Sequence, residues 1–298
     1  MGAIANTIQG RLLAASGCAY GIDLNGNYHP PEPYNTAVGW LTPPTPVAAG
    51  NEDIDAALVG INQDGIIVAF RGTLPIAWTV PSILDWWQDI FDVPPVVAGN
   101  IPGKVHGGFW AALNAIWGGI EAAYGVLAAA HPTAKLYITG HSKGGGMTTI
   151  AAANICFNTT KLQNPAAVYS FAPAHPGNST FAAQFPLGTI PVTRYENYLD
   201  IVPFLPPDST FITLFSKIPI IGDIFDVALN WDYTPVGTLQ YIEQDHAITG
   251  DYVGLEVERL GGIFLQMLHG TAGFTTIMDA HAIAYGGGYQ QGVAPDIH

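Results

Sequence analysis

The chain has 298 residues, 49% of them hydrophobic and only 11% charged, with a formal net charge of −14. That much apolar material supports a substantial core and excludes a disordered chain, while Gly, Pro and polar residues interrupt every apolar run before it reaches membrane-spanning length. The scarcity of Lys and Arg excludes nucleic-acid binding through phosphate neutralisation and weighs against attachment to anionic membranes.

The N-terminal stretch MGAIANTIQGRLLAASGCAYGI lacks a cationic start, so no signal peptide is visible and an amphipathic helix is expected. Cys18 and Cys156 lie far apart and read as free, buried thiols, with a single disulfide between them as the alternative. The run Asp23-Leu24-Asn25-Gly26-Asn27 lacks the sixth-position glycine and the distal glutamate that a calcium loop needs, so it reads as a turn. Residues 29–46, rich in Pro, read as a surface loop. Residues 56–61 and 66–70 flank Gln63-Asp64-Gly65 as the arms of a β-hairpin. A Trp-rich segment at 76–93 precedes a helix at 110–130. Residues 166–171 and 190–195 read as buried strands, 210–228 as apolar and irregular, and 252–268 as a helix. No repeat or linker divides the chain. The expectation is one α/β domain over residues 1–298, its mostly parallel sheet covered by helices on both faces.

The segment KLYITGHSKGGGMTTIAAANICF at residues 135–157 concentrates the chemistry. It reads as an apolar strand, a glycine-flanked turn and an Ala-rich helix, with Ser142 at the apex of Gly140-His141-Ser142-Lys143-Gly144. A serine on such an elbow is held in a strained conformation with its hydroxyl presented for attack, and small neighbours let strand and helix pass close by. The plain alternative is a Gly-rich loop that happens to carry a serine. Leu136, Tyr137 and Ile138 before the turn, and Met147, Ile150 and Ala151 after it, favour the elbow.

A serine nucleophile needs a base to take its proton and a carboxylate to orient that base. Asp200, in RYENYLDIVPFLPP, stands where a strand passes into a loop. Asp208, Asp223, Asp226 and Asp232 are its rivals. Of the histidines that follow, His269 sits near a helix end and His298 is terminal. The residue pattern leaves His281 and His246 open as the base. Oxyanion donors are expected at the N–H of Lys143 and at the turn after the strand IIVAF, where Thr73 offers its N–H and hydroxyl. The side chain of Lys143 is expected to be a solvated surface charge.

Five ordered segments resemble the class 3 lipase family, which includes the filamentous-fungal lipases. They are VAFRGT (68–73), DWWQDI (85–90), VHGGFW (105–110), ITGHSKGG (138–145) and NYLDIVPFLPP (197–207). Weaker matches lie at 233–237 and around His281. The resemblance implies an α/β-hydrolase fold, a Ser142–Asp200–His281 triad, and Thr73 and Lys143 as oxyanion donors. It also implies that Asp89 helps hold the oxyanion hydroxyl. His106 looks structural in that family.

There are three departures. Lys143 stands where an aliphatic residue is usual, the stretch between Thr73 and Asp85 is longer, and an apolar insertion occupies 209–230. Residues 74–95, apolar and bracketed by Pro75, Pro81, Pro94 and Pro95, are expected to form a lid that opens at a neutral lipid surface. The implied activity is ester hydrolysis through an acyl-enzyme, on acylglycerols, with no metal or organic cofactor and with secretion favoured by the resemblance. Two alternatives stand beside it, a carboxylesterase for small soluble esters and a catalytically inactive hydrolase fold that binds a ligand.

Overall fold

The hairpin expected around Asp64 forms, with β2 (Asp55–Ile61) antiparallel to β3 (Ile66–Phe70). The computed structural model describes residues 3–50, 55–74, 93–208, 211, 232–284 and 287–298. Asp89, and nearly all of the segments 74–95 and 209–230, lie outside those residues. Every residue of β3 is buried, because the strand is covered on both faces. Ile66, Val68 and Phe70 enter one core while Ile67 and Ala69 enter the other, which explains an apolar run without polar alternation.

Eight strands form the main sheet. β1 (Thr45–Ala49), β2 and β3 make an antiparallel edge; β6 (Leu136–His141), β7 (Ala167–Phe171), β9 (Val192–Asn197) and β11 (Thr238–Ile242) continue from β3 in parallel; β12 (Ile248–Thr249) closes the other edge. A small second sheet joins β4 (Pro95–Val96), β5 (Val105–His106), β8 (Gly177–Asn178) and β10 (Tyr233–Thr234), and the short helix α5 (Ser179–Gln184) follows β8.

One face of the main sheet carries α3 (Gly107–Ala130) and α4 (Lys143–Phe157). Phe109, Ala112, Leu113, Ile116, Ile120 and Tyr124 form the buried stripe of α3. His106, buried, caps that helix by accepting the Phe109 N–H at 3.2 Å. The other face carries α1 (Ile8–Ala19), whose neighbours include α2 (Tyr34–Val38) and a short C-terminal helix. The loop expected over 29–46 therefore contains α2 and the start of β1.

The amphipathic reading of the N-terminus needs correction, since every residue of α1 from Gly10 to Ala19 is buried. Its polar groups are satisfied inside. Arg11 forms a two-pronged pair with Asp64, at 2.6 and 2.8 Å, and Ser16 shares a hydrogen bond with Thr139.

Cys18 packs in the core on the α1 face, whereas Cys156 is half-buried on α4 across the sheet, so the two thiols are free. Burial pushes the Cys18 thiol up to about 12. Native protein titrated with a thiol-specific chromophore is expected to yield one reactive cysteine, Cys156, and two after denaturation without reductant.

Candidate active site

Ser142 joins β6 to α4 with φ 61° and ψ −129°. A non-glycine residue in this region costs about 1–3 kcal/mol and persists only where its surroundings over-determine it. The surroundings are explicit. The Ser142 N–H donates to the Phe171 carbonyl at 3.0 Å, and its carbonyl accepts from Gly146 at 3.1 Å and Ala174 at 3.4 Å. Glycine is required beside it, because a Cβ on Gly140 would lie 2.4 Å from the Gly144 carbonyl, and one on Gly144 would lie 2.4 Å from the Phe70 carbonyl. The serine is 3% exposed.

Asp200 follows β9 and is fully buried. Its carboxylate accepts the Val202 N–H at 2.9 Å and the Tyr289 hydroxyl at 2.6 Å, and both its oxygens lie 3.0 Å from His281 Nδ1. Burial, and then the charge of Asp200, raise the Tyr289 phenol well above its ordinary range, so it stays protonated and donates. His281 ends α7 (Thr271–His281), the second arm of a helical hairpin begun by α6 (Leu255–Met267). Tyr289 opens α8 (Tyr289–Val293), the short helix beside α1.

Asn197 locks this arrangement to the sheet. Its Nδ2 donates to the carbonyls of Ala280 at 2.8 Å and Gly287 at 2.6 Å, and its backbone N–H donates to the Tyr289 hydroxyl at 3.1 Å. One residue earlier, Glu196 pairs with Arg194 and with Arg259, the latter at 2.5 Å. The Arg259 guanidinium lies 4.5 Å from the Phe204 ring centre.

His141 connects the two halves. Its Nε2 lies 2.8 Å from the His281 carbonyl, which only accepts, so Nε2 carries the proton. Nδ1 then accepts from the Tyr20 hydroxyl at 2.8 Å. Desolvation, and then the charge of His281, hold the His141 ring well below its ordinary pKa, consistent with this neutral tautomer. The rings of His141 and His281 are 4.7 Å apart between centres, so His281 lies beside the residue that precedes Ser142.

The turn after β3 reaches the same edge. Phe70 pairs with Gly140, and a Cβ on Gly72 would lie 2.8 Å from the His141 carbonyl. Thr73, half-buried, follows in that turn. Lys143 corrects the expectation of a solvated charge: its Nζ lies 2.6 Å from Asp55 Oδ1, and the two side chains are 19% and 14% exposed.

The rival residues fall elsewhere. His246 sits in the turn joining β11 and β12, with φ 68°. His269 and His298 are exposed. Asp208 accepts the Phe211 N–H at 2.9 Å, and Asp232 accepts from Ser179. Asp223 and Asp226 lie outside the described residues. Among the described residues, no group of His, Cys, Asp or Glu could hold a metal ion, and no helix is long and apolar enough to cross a membrane. Sequence reasoning did not find Tyr20, Asn197, Tyr289, the His141 bridge or Asp55, because each acts on a partner far away in sequence.

Residues 67–210 match the family described as lipase (class 3). A lipase of Rhizopus niveus is 29% identical over 148 residues, 49% of this chain and 36% of the relative. A protein of Fusarium solani named secreted mono- and diacylglycerol lipase 1 is 32% identical over 142 residues, 48% of this chain and 39% of the relative. The matched stretch thus spans little more than a third of these curated relatives.

Among solved structures, a triacylglycerol lipase described as having a serine-protease triad aligns with a TM-score of 0.56 at 22% identity, over 80% of this chain and 82% of that one. Lipase II from Rhizopus niveus aligns with a TM-score of 0.55 at 21% identity, over 80% and 83%. The fold is the α/β-hydrolase fold.

Two buried histidines at this edge predict the acid stability. His175 follows β7, its Nδ1 donating to the Pro206 carbonyl at 2.8 Å, and burial lowers it to about 4. His141 is lowered in the same direction. Below the unfolded value near 6.5 the unfolded chain takes up protons that the native rings refuse, so stability falls as pH falls, by about 1.4 kcal/mol per pH unit for each ring. Urea midpoints should drop steadily from pH 6.5 towards pH 4. His175→Asn, which keeps the donor to Pro206, should flatten that slope over this range.

Proposed function

We propose that the chain is a serine-dependent carboxylic ester hydrolase that cleaves acylglycerols through an acyl-enzyme, a reading supported by the match of residues 67–210 to the class 3 lipase family. The observation that carries this reading is the fully buried Asp200 carboxylate holding His281 Nδ1 at 3.0 Å, beside a serine in an elbow conformation.

In this reading Asp200 accepts a hydrogen bond from Nδ1–H and so fixes the His281 tautomer, leaving Nε2 as the base. His281 removes the Ser142 proton as the serine oxygen attacks the ester carbonyl. The N–H groups of Lys143 and Thr73 receive the developing oxyanion. His281 then protonates the departing alcohol, and water, activated by the same ring, releases the carboxylic acid. Tyr289 and the Val202 N–H keep the Asp200 charge satisfied while His281 cycles between neutral and cationic forms.

The remaining parts of the reading rest on the family resemblance. Asp89 supports the Thr73 hydroxyl, residues 74–95 act as a lid that meets a neutral lipid surface, and residues 1–298 form one domain. Secretion is proposed from the Fusarium solani relative, which is named as secreted. Mono-, di- and triacylglycerols are the substrates proposed, in line with the names of the relatives and of the solved structures.

Ser142→Ala and His281→Ala should each lower kcat on a short-chain ester by roughly 10⁴-fold or more, and Asp200→Asn by a comparable factor. His246→Ala should keep most of the activity, and a fluorophosphonate probe should label the native protein at Ser142. Activity lost through His246 but kept without His281 would overturn the assignment. Comparing emulsified long-chain with soluble short-chain esters separates a lipase from an esterase.

A further inference from the structure

We propose that Asp55 is a positioning residue for the oxyanion hole, acting through the ammonium group of Lys143. This rests on the functional reading above, in which the Lys143 N–H receives the oxyanion. Lys143 is the first residue of α4, where the free N–H groups make the positive end of the helix dipole. A cation is disfavoured there, and an aliphatic side chain would avoid both that cost and the loss of hydration. The chain nevertheless carries a lysine with a side chain 19% exposed, held by a carboxylate 14% exposed at 2.6 Å.

A pair withdrawn from water on both sides gains little net stability, because desolvation offsets most of the attraction. What it fixes is registry. Asp55 begins β2, and the next residue, Ala56, accepts the Arg71 N–H at 3.0 Å. Further along the same ladder Ala57 pairs with Phe70. Asp55 is therefore anchored against the end of β3, from which Arg71, Gly72 and Thr73 run on.

The ion pair reaches from that strand end to the residue after Ser142, spanning 88 positions of sequence. Gly144 lets the connection be short, since a Cβ there would lie 2.4 Å from the Phe70 carbonyl and 2.9 Å from the Arg71 carbonyl. Both oxyanion donors are thereby referred to one frame. A hole made of two N–H groups on separate elements works only while their separation matches the oxyanion, and displacement of a group by about 1 Å costs up to 10²-fold in rate.

Removing the Asp55 charge leaves a poorly hydrated cation against the positive end of α4. The ammonium then moves towards solvent and carries the first peptide of the helix with it. Replacing Lys143 by methionine removes the tether but leaves the Asp55 carboxylate unpaired, whereas Asp55→Asn with Lys143→Met removes the tether and both charges, so the double variant folds even where a single change is damaging.

The test is a double-mutant cycle on a short-chain ester with Asp55→Asn, Lys143→Met and the pair of changes together, alongside Asp55→Glu. Each single variant should lower kcat about tenfold with KM within about twofold, and the double variant should be no slower than the slower single. Asp55→Glu should recover most of kcat. Thermal midpoints report the purely structural contribution.

Two results would overturn the proposal while wild type hydrolyses ester and takes the fluorophosphonate label. One is an unchanged kcat in folded Lys143→Met with a lowered thermal midpoint. The other is a double variant whose loss is the product of the single losses. A wild type that neither hydrolyses ester nor takes the label overturns the functional reading, and the role of Asp55 with it.

Discussion

A carboxylate with no access to water must have its charge met by donors, and the C-terminal edge of this fold is arranged around that demand. Asp200 is fully buried, and a lone anion in that position would be protonated or would unfold its surroundings. Three groups prevent this, each from a different element: the Val202 N–H from the turn itself, the His281 ring from α7, and the Tyr289 hydroxyl from α8. Asn197 ties the last two elements back to β9 by donating to carbonyls on either side of the loop between them. Satisfying one charge thus fixes the relative positions of a strand end and two helix ends, and the placement of the His281 ring follows from it.

The same logic operates one layer deeper. Glu196 precedes Asn197 on β9 and is shared by two arginines, and the Arg259 ring contact with Phe204 supplies an aromatic face where water is absent. Arg259 comes from α6, the first arm of the hairpin that delivers His281, so the hairpin is moored at its start by an ion pair and at its end by the Asp200–His281 contact. Such buried networks contribute little net stability but penalise any arrangement that leaves a member unpaired.

The parts readable from the sequence were those encoded by neighbours. The hairpin at Asp64 announced itself by two apolar runs around a turn, and the elbow by a strand pattern, small residues and a helix pattern within 23 positions of one another. Asp200 and His281 are candidates by position, but their pairing spans 81 residues, so residue pattern alone does not separate His281 from His246. The misreadings share one cause. In α1, Arg11 and Ser16 imitate a solvated face although Asp64 and Thr139 satisfy them inside the protein. Lys143 likewise reads as a surface charge because Asp55 lies far upstream. A polar residue announces its chemistry locally, but whether it meets water or a buried partner is settled by the fold.

The timing of synthesis gives the Asn197–Tyr289 contacts a different significance. A chain grows from its N-terminus at roughly 5–20 residues per second, and a domain generally folds as a unit. The named supports of the elbow are present once Phe171 and Ala174 have emerged, and Asp200 meets the Val202 N–H two residues later in the chain, yet its other two donors arrive only with residues 281 and 289. Until then a half-made chain carries Asp200 with one of its three donors. The Asp200–His281 contact is therefore among the last to become available, and the chain as far as Tyr289 must emerge before its surroundings are complete.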